Sequence, residues 1–325
     1  MEPEQTEVPQ VRPAGAPPDE PAAEPRTGTD RPPEVATADA SFPQSAGCDC
    51  LAEQGAGGPP GDAGQAEPAA PSYVYALGRI EARFPSLAVE KEFTQVVARD
   101  EVTELTDDET LHRVLSAPQN RYLARQMCYV LTVQGLDTYL LRPRDPVDFG
   151  LLVDAIRPVS SPLDIDVVIG LRGPVAPPEV CNGLAVPVVA FDTIYSFSGS
   201  ELVKAVKRPE KIPAKGFEKA SAKLLERIMQ VGDNAGTADE HRALNYLAVR
   251  NPDIYRNTVS AYAEGNALTA VDVGVSRLSG TRKVLDVVFS YTGRSSDVTE
   301  KSFVRVDVTE EFPFMVTRWS PYYDR

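Results

Sequence analysis

Apolar positions alternate with polar ones in some stretches of the chain and recur every three to four residues in others, and the two periods divide it into strands and helices. Tyr73-Val74-Tyr75-Ala76-Leu77-Gly78 has the aromatic and β-branched content of a strand. A helix is predicted from Pro85-Ser86 onward, carrying Leu87, Phe93 and Val97 with Glu90 and Lys91 between them. Thr106 with Glu109 three residues on is a capping-box pattern and opens a second helix. The runs Tyr129 to Val133 and Thr138 to Leu141, separated by Gln134-Gly135-Leu136-Asp137, read as a hairpin. Asp145-Pro146 supplies an N-cap and an N1 proline for a helix through Leu151, Leu152 and Ile156 that stops before Pro158. Ile165 to Leu171 and Ala185 to Phe191 are more continuously apolar, as buried strands are.

Beyond residue 212 the pattern is simpler. Phe217, Ala220, Leu224, Leu225, Ile228 and Met229 form one helical stripe. Thr237 to Glu240 is a second capping-box pattern, for a helix through Leu244 and Leu247 that ends at Asn251-Pro252. A further helix carries Ile254, Val259 and Tyr262 and ends near Gly265. Thr269 to Val275, Val284 to Tyr291 and Ser302 to Val308 alternate, with turn residues at Ser279-Gly280 and Gly293-Arg294-Ser295. Mixed helices and short strands followed by helices and an antiparallel meander predict an α+β fold. Residues 72–212 are expected to form one α+β subdomain and 213–325 a second of helices plus sheet. Residues 1–71, rich in Pro, Ala, Gly, Glu and Asp, lack the large apolar side chains that offset chain ordering, and predict a disordered tail.

The chain of 325 residues has 33 Lys plus Arg against 47 Asp plus Glu, a net charge of −14. The tail holds thirteen acidic and three basic side chains, so only −4 belongs to the rest. An acidic chain repels phosphate backbones, which argues against nucleic acid as a partner. The start, Met1-Glu2-Pro3-Glu4, has no basic and apolar targeting pattern, and the longest apolar run, Leu184 to Phe191, falls short of the roughly 20 residues of a spanning helix. A cytoplasmic location with no membrane partner is the expectation, and there cysteines are thiols or metal ligands rather than disulfides.

Two histidines, His112 and His241, exclude a three-histidine metal site. No Gly-x-Ser-x-Gly elbow, Walker lysine or His-Glu-x-x-His occurs, and the prolines in Gly55 to Gly61 lack the amides of a phosphate loop. Asp239 and His241, beside Glu240, could form an acid/base pair or an open metal site with Arg242 holding an anion; the plainer reading is a helix start capped by Thr237, with Asp239 and Glu240 at its positive end and Arg242 solvated. Asp272, Asp286 and Asp307 fall on the meander strands, as convergent cation ligands or as its solvent face. Arg142, Arg144 and Arg172 follow strand ends and are candidate peptide or anion contacts. Cys48, Cys50, Cys128 and Cys181 have the donor set of one structural zinc; the alternatives are unrelated cysteines or a redox pair.

Several of these segments carry a resemblance. Tyr73 to Ile80, Asn120-Arg121-Tyr122-Leu123 with Thr138 to Pro146, Val168-Ile169-Gly170 with Arg172-Gly173-Pro174, and Asp233-Asn234-Ala235-Gly236 with Asp239 to Tyr246 resemble the C-terminal, non-protease domain of the cyanobactin maturation PatG family in a stand-alone form. In that family the domain accompanies subtilisin-like proteases that process ribosomal peptides, and its own role is unassigned. The Asp, His and Ser of a subtilisin site have no counterpart here, so protease activity is not carried over. The resemblance implies a non-catalytic accessory or scaffolding protein that binds precursor peptide or maturation enzymes. It also suggests a metal site in Gly47-Cys48-Asp49-Cys50 with Cys128 and Cys181. The competing expectation is a peptide-modifying or hydrolytic enzyme using His241, Asp239 and Glu240, or the cysteines.

Overall fold

In the computed structural model, β1 (Tyr73–Arg83) is followed by α1 (Leu87–Arg99), α2 (Asp107–Ser116), α3 (Arg121–Gln126), β2 (Cys128–Val133), β3 (Leu136–Pro143), α4 (Phe149–Ala155), β4 (Asp164–Val175) and β5 (Pro187–Ser198). Then come α5 (Gly199–Ala205), α6 (Ala214–Met229), α7 (Asp239–Arg250), α8 (Pro252–Ala263), β6 (Asn266–Val275), β7 (Val284–Gly293), β8 (Thr299–Asp307), β9 (Phe314–Met315) and β10 (Ser320–Pro321). The structure describes residues 71–99, 105–159, 161, 164–209, 212–296 and 298–323, all within the compact unit Gln65–Arg325. The fold is α+β, as the sequence pattern predicts.

β1 to β5 close into a barrel in the order β1-β2-β3-β5-β4, antiparallel except for the β3–β5 pair. The β2–β3 hairpin turns on Gln134 and Gly135, both at positive φ, a tighter loop than the four residues expected. Alternate residues of β1 serve two cores. Val74 and Ala76 face a cluster closed by α1 to α4, and Tyr75 and Leu77 face one closed by α6 to α8. That second cluster also takes Val287, Phe289, Val304 and Val306 from the second sheet, ordered β10-β8-β7-β6. α6, α7 and α8 are therefore sandwiched between barrel and sheet.

Local signals account for several boundaries. Thr106 and Glu109 form the expected capping box. α6 buries Phe217, Leu224, Leu225 and Ile228, each contributing roughly 1.5–3 kcal/mol of transfer free energy. Its end is tied to the barrel, because Gln134 Nε2 donates to Met229 O at 2.9 Å and, just past the helix, to Val231 O at 2.7 Å. The capping box expected at Thr237 does not form: α7 starts at Asp239 with Ala238 at its N-cap and no side-chain cap. The preceding segment docks on β1 instead. Tyr75 N–H donates to Gly236 O at 2.9 Å, and a Cβ at Gly236 would lie 2.4 Å from Tyr75 O. Asn245 Nδ2 donates to Tyr75 O at 2.9 Å and is paired in both directions with Asn234. The motif Asp233-Asn234-Ala235-Gly236…Asn245 is thus a latch between α7 and the barrel.

Candidate functional site

A cleft opens where α6 passes the edge strand β6. Amphipathic α6 turns Leu224, Leu225 and Ile228 into the core, and the opposite periodicity places Lys219, Lys223 and Arg227, each four residues apart, along the rim. One part of the cleft, about 490 Å³, lies between Lys219, Lys223, Leu224, Tyr262 and Leu268. The adjoining part, about 580 Å³, shares Leu224, Arg227 and Leu268 and continues to His241, Leu244, Val271 and Val273. Its floor is apolar, and Glu240 is the one acidic residue in either lining. Neither Lys219 nor Lys223 has an ion pair among the described residues. Arg227 Nη1 donates to Leu268 O at 3.2 Å and ties α6 to β6. Arg294 stacks on the Tyr262 ring at 3.8 Å, adding a cation near the rim.

A second recess, about 260 Å³, lies between Arg79, Ala155, Arg157, Asp164 and Asp166 at one end of the barrel. There Arg157 reaches Asp164 at 3.2 Å and Asp166 at 3.5 Å, and Asp166 accepts the Ile80 amide at 2.7 Å. Burial pushes the Asp166 carboxyl above its ordinary range in spite of these contacts. Its charged groups are largely matched with one another, whereas the lysines of the α6–β6 cleft are not.

Of the residues predicted from sequence, His241 lines this cleft, beside Glu240. Asp239, two positions before His241 on the helix, faces away from it. Asp239 is held by Lys283 at 2.9 Å and Arg242 at 3.3 Å. Arg242 is 2% exposed and serves as a clamp rather than a solvated or anion-holding side chain. It donates to Val308 O at 2.7 Å, to Glu310 O and to Glu311 O at 3.4 Å, with the Tyr73 ring 5.2 Å away. Arg144 contacts Asp192 at 2.6 Å and Glu311 at 3.2 Å. Burial and the neighbouring Asp192 carboxylate push Glu311 up to about 7. Arg142 and Arg172 are exposed on β3 and β4, apart from the cleft.

The three meander aspartates do not converge. Asp286 pairs with Arg305 at 2.8 Å, Asp272 is exposed, and Asp307 is 2% exposed rather than on a solvent face, accepting from Thr309 and Arg282. Cys128 and Cys181 are joined as a disulfide with Cα atoms 6.0 Å apart, against the expectation of thiols. While that bond stands the pair offers no thiolate to a metal. Cys48 and Cys50 lie outside the described residues, among which no group of three or more His, Cys, Asp or Glu is placed to hold a metal ion. No described helix is long and apolar enough to cross a membrane.

Sequence reasoning missed the α6 cations. Their signal was present, since Lys219, Lys223 and Arg227 repeat every four residues opposite the apolar stripe. Comparison with known proteins bears on this same region. The family described as PatG C-terminal matches residues 211–322, which include α6, α7, α8 and β6. A solved structure, the "PatG Domain of Unknown Function", is similar in fold with a TM-score of 0.64 and 20% identity, covering 77% of this chain and 98% of its own. No curated protein matches the chain. Residues 211–322 thus carry the match to the PatG C-terminal family, and the fold over most of the chain is similar to that of the PatG domain.

Proposed function

We propose that the protein is a non-catalytic accessory protein of cyanobactin-like ribosomal peptide maturation that binds a peptide segment in the α6–β6 cleft. The observation that carries this reading is the pairing of an apolar floor with Lys219 and Lys223, two cations that have no ion pair among the described residues. Such a surface suits a ligand with both apolar and anionic groups, and an amphiphilic peptide has both. The match of residues 211–322 to the PatG C-terminal family supports the context of peptide maturation. An enzyme built on Asp239 and His241 is less well supported, because the two side chains diverge and Asp239 is engaged by Arg242 and Lys283.

Titration calorimetry of the full chain with the pathway's precursor peptide, and with its maturation enzymes, tests the reading. Binding is expected, and Lys219→Glu with Lys223→Glu should weaken it at least tenfold at an unchanged melting temperature. Absence of heat with every one of these partners would sink the proposal.

A further inference from the structure

β6 leaves part of its backbone unpaired where the cleft opens. Ser276 N–H donates to Val284 O at 2.8 Å, and the pairing of Gly274 with Asp286 and of Asp272 with Val288 continues that phase. In an antiparallel ladder every second residue turns both backbone groups to its partner, so Ser276, Gly274 and Asp272 face β7. Val271, Val273 and Val275, opposite Phe289, Val287 and Leu285, turn their amides and carbonyls to the open edge. β6 stands at the end of the sheet order, and no described strand pairs with it there.

Exposed edges are ordinarily blunted by lysine, proline or a bulge. β6 has a register shift between Leu268 and Ala270, and Arg227 occupies the Leu268 carbonyl just before it. From Val271 to Val275 there is neither lysine nor proline, and the one charge is Asp272. That stretch of about five residues spans roughly 17 Å at about 3.3 Å per residue. Alongside it lie the apolar floor of Leu224, Leu244 and Leu268 and the rim of Lys219, Lys223 and Arg227. Three cations against one acid in this lining is a local inversion of sign, since residues 72–325 carry a net charge of −4.

We propose that β6 receives an acidic, extended segment of a partner protein by strand addition. This rests on the peptide-binding reading above and specifies how the peptide is held. The added main chain pairs with the free amides and carbonyls of Val271, Val273 and Val275. On its helix-facing side, apolar side chains cover the floor of the cleft, and acidic ones reach Lys219 and Lys223.

Fluorescence anisotropy with the full chain tests this, using labelled twelve-residue peptides at concentrations where they are monomeric. The parent alternates valine and glutamate, a second peptide has lysine for glutamate, and two more carry N-methyl groups on alternate residues in opposite registers. The parent should bind and the lysine peptide should bind at least tenfold more weakly. One N-methylated register should lose at least tenfold and the other should bind almost as the parent does, a difference that only strand addition produces. Lys219→Glu with Lys223→Glu should reverse the order of the glutamate and lysine peptides. Equal binding of both N-methylated forms and the parent would overturn strand addition while leaving peptide binding intact. No binding of the parent overturns it too, whereas the reading of a peptide-binding protein stands or falls on the precursor peptide and the maturation enzymes. A dimer in sedimentation that Lys219→Glu with Lys223→Glu dissolves would make a second copy the occupant and refute the proposal.

Discussion

Replacing Arg242 with methionine separates a clamp from a binding residue. The guanidinium is 2% exposed and holds the chain just after β8 through Val308 O at 2.7 Å, Glu310 O and Glu311 O at 3.4 Å. Methionine fills much of the same volume but donates nothing, so these carbonyls lose their partner. Hydrogen bonds from a charged donor contribute about 1.5–3 kcal/mol each, and the cost of burying the guanidinium offsets part of that sum. Counting the Val308 and Glu310 bonds in full and the longer Glu311 bond as minor, we expect a loss of about 3–4 kcal/mol. The Asp239 contact adds little, because Asp239 is partly exposed and keeps Lys283. Against a total of about 5–15 kcal/mol for a typical domain, such a loss is plain in urea denaturation. Hydrogen exchange should quicken first in residues 308–316. Arg242→Lys, which reaches one carbonyl, should fall between. A loss under about 1 kcal/mol with unchanged exchange would refute the clamp, as would a selective loss of anion or peptide binding at full stability.

Glu311, raised to about 7 by burial and the adjacent Asp192, binds its proton more tightly in the folded state than in the unfolded one. Its contribution is therefore fully present below its ordinary value of 4.5 and is lost as pH rises through about 7. The melting temperature should fall between pH 5 and 8, and Glu311→Gln should flatten that slope; an equal slope in the variant would exclude Glu311 as its source. Gly236→Ala places a Cβ 2.4 Å from Tyr75 O at φ +72°, and should cost more than about 2 kcal/mol in chemical denaturation; a neutral result would mean that the latch on β1 yields. Protein isolated without reductant should give a disulfide-linked fragment containing Cys128 and Cys181 on mass spectrometry. One zinc per chain in that material, bound through these two cysteines, would refute the bond and restore the four-cysteine zinc expectation.

What the chain discloses locally and what it does not follow from the range of each interaction. The box at Thr106 and Glu109 needs three residues of separation, and the hairpin at Gln134 and Gly135 needs two residues that tolerate positive φ, so both were readable. The same pattern at Thr237 failed because Gly236 and Asn245 are committed to Tyr75, more than 160 residues earlier in the chain. Barrel closure depends on Leu140 to Pro143 lying parallel to Val188 to Phe191, and no short-range feature of either segment selects that partner. Arg242 looks like any arginine in the first turn of a helix until the chain after Asp307 folds over it.

The cleft shows the same division. The valines of β6 were expected in a meander strand, and α6 was expected as an amphipathic helix, so both walls were legible. Their juxtaposition was not, because whether a strand is central or terminal is settled by which other strands compete for its edge. Val273 on a central strand would be ordinary core. On a terminal strand, beside Lys219 and Lys223, which have no ion pair among the described residues, the same residue exposes backbone groups whose hydrogen bonds to water another chain can replace. The proposed strand addition therefore places function in the edge that folding leaves unfinished rather than in a reactive side chain. The His241 that drew attention in the sequence lines the same cleft.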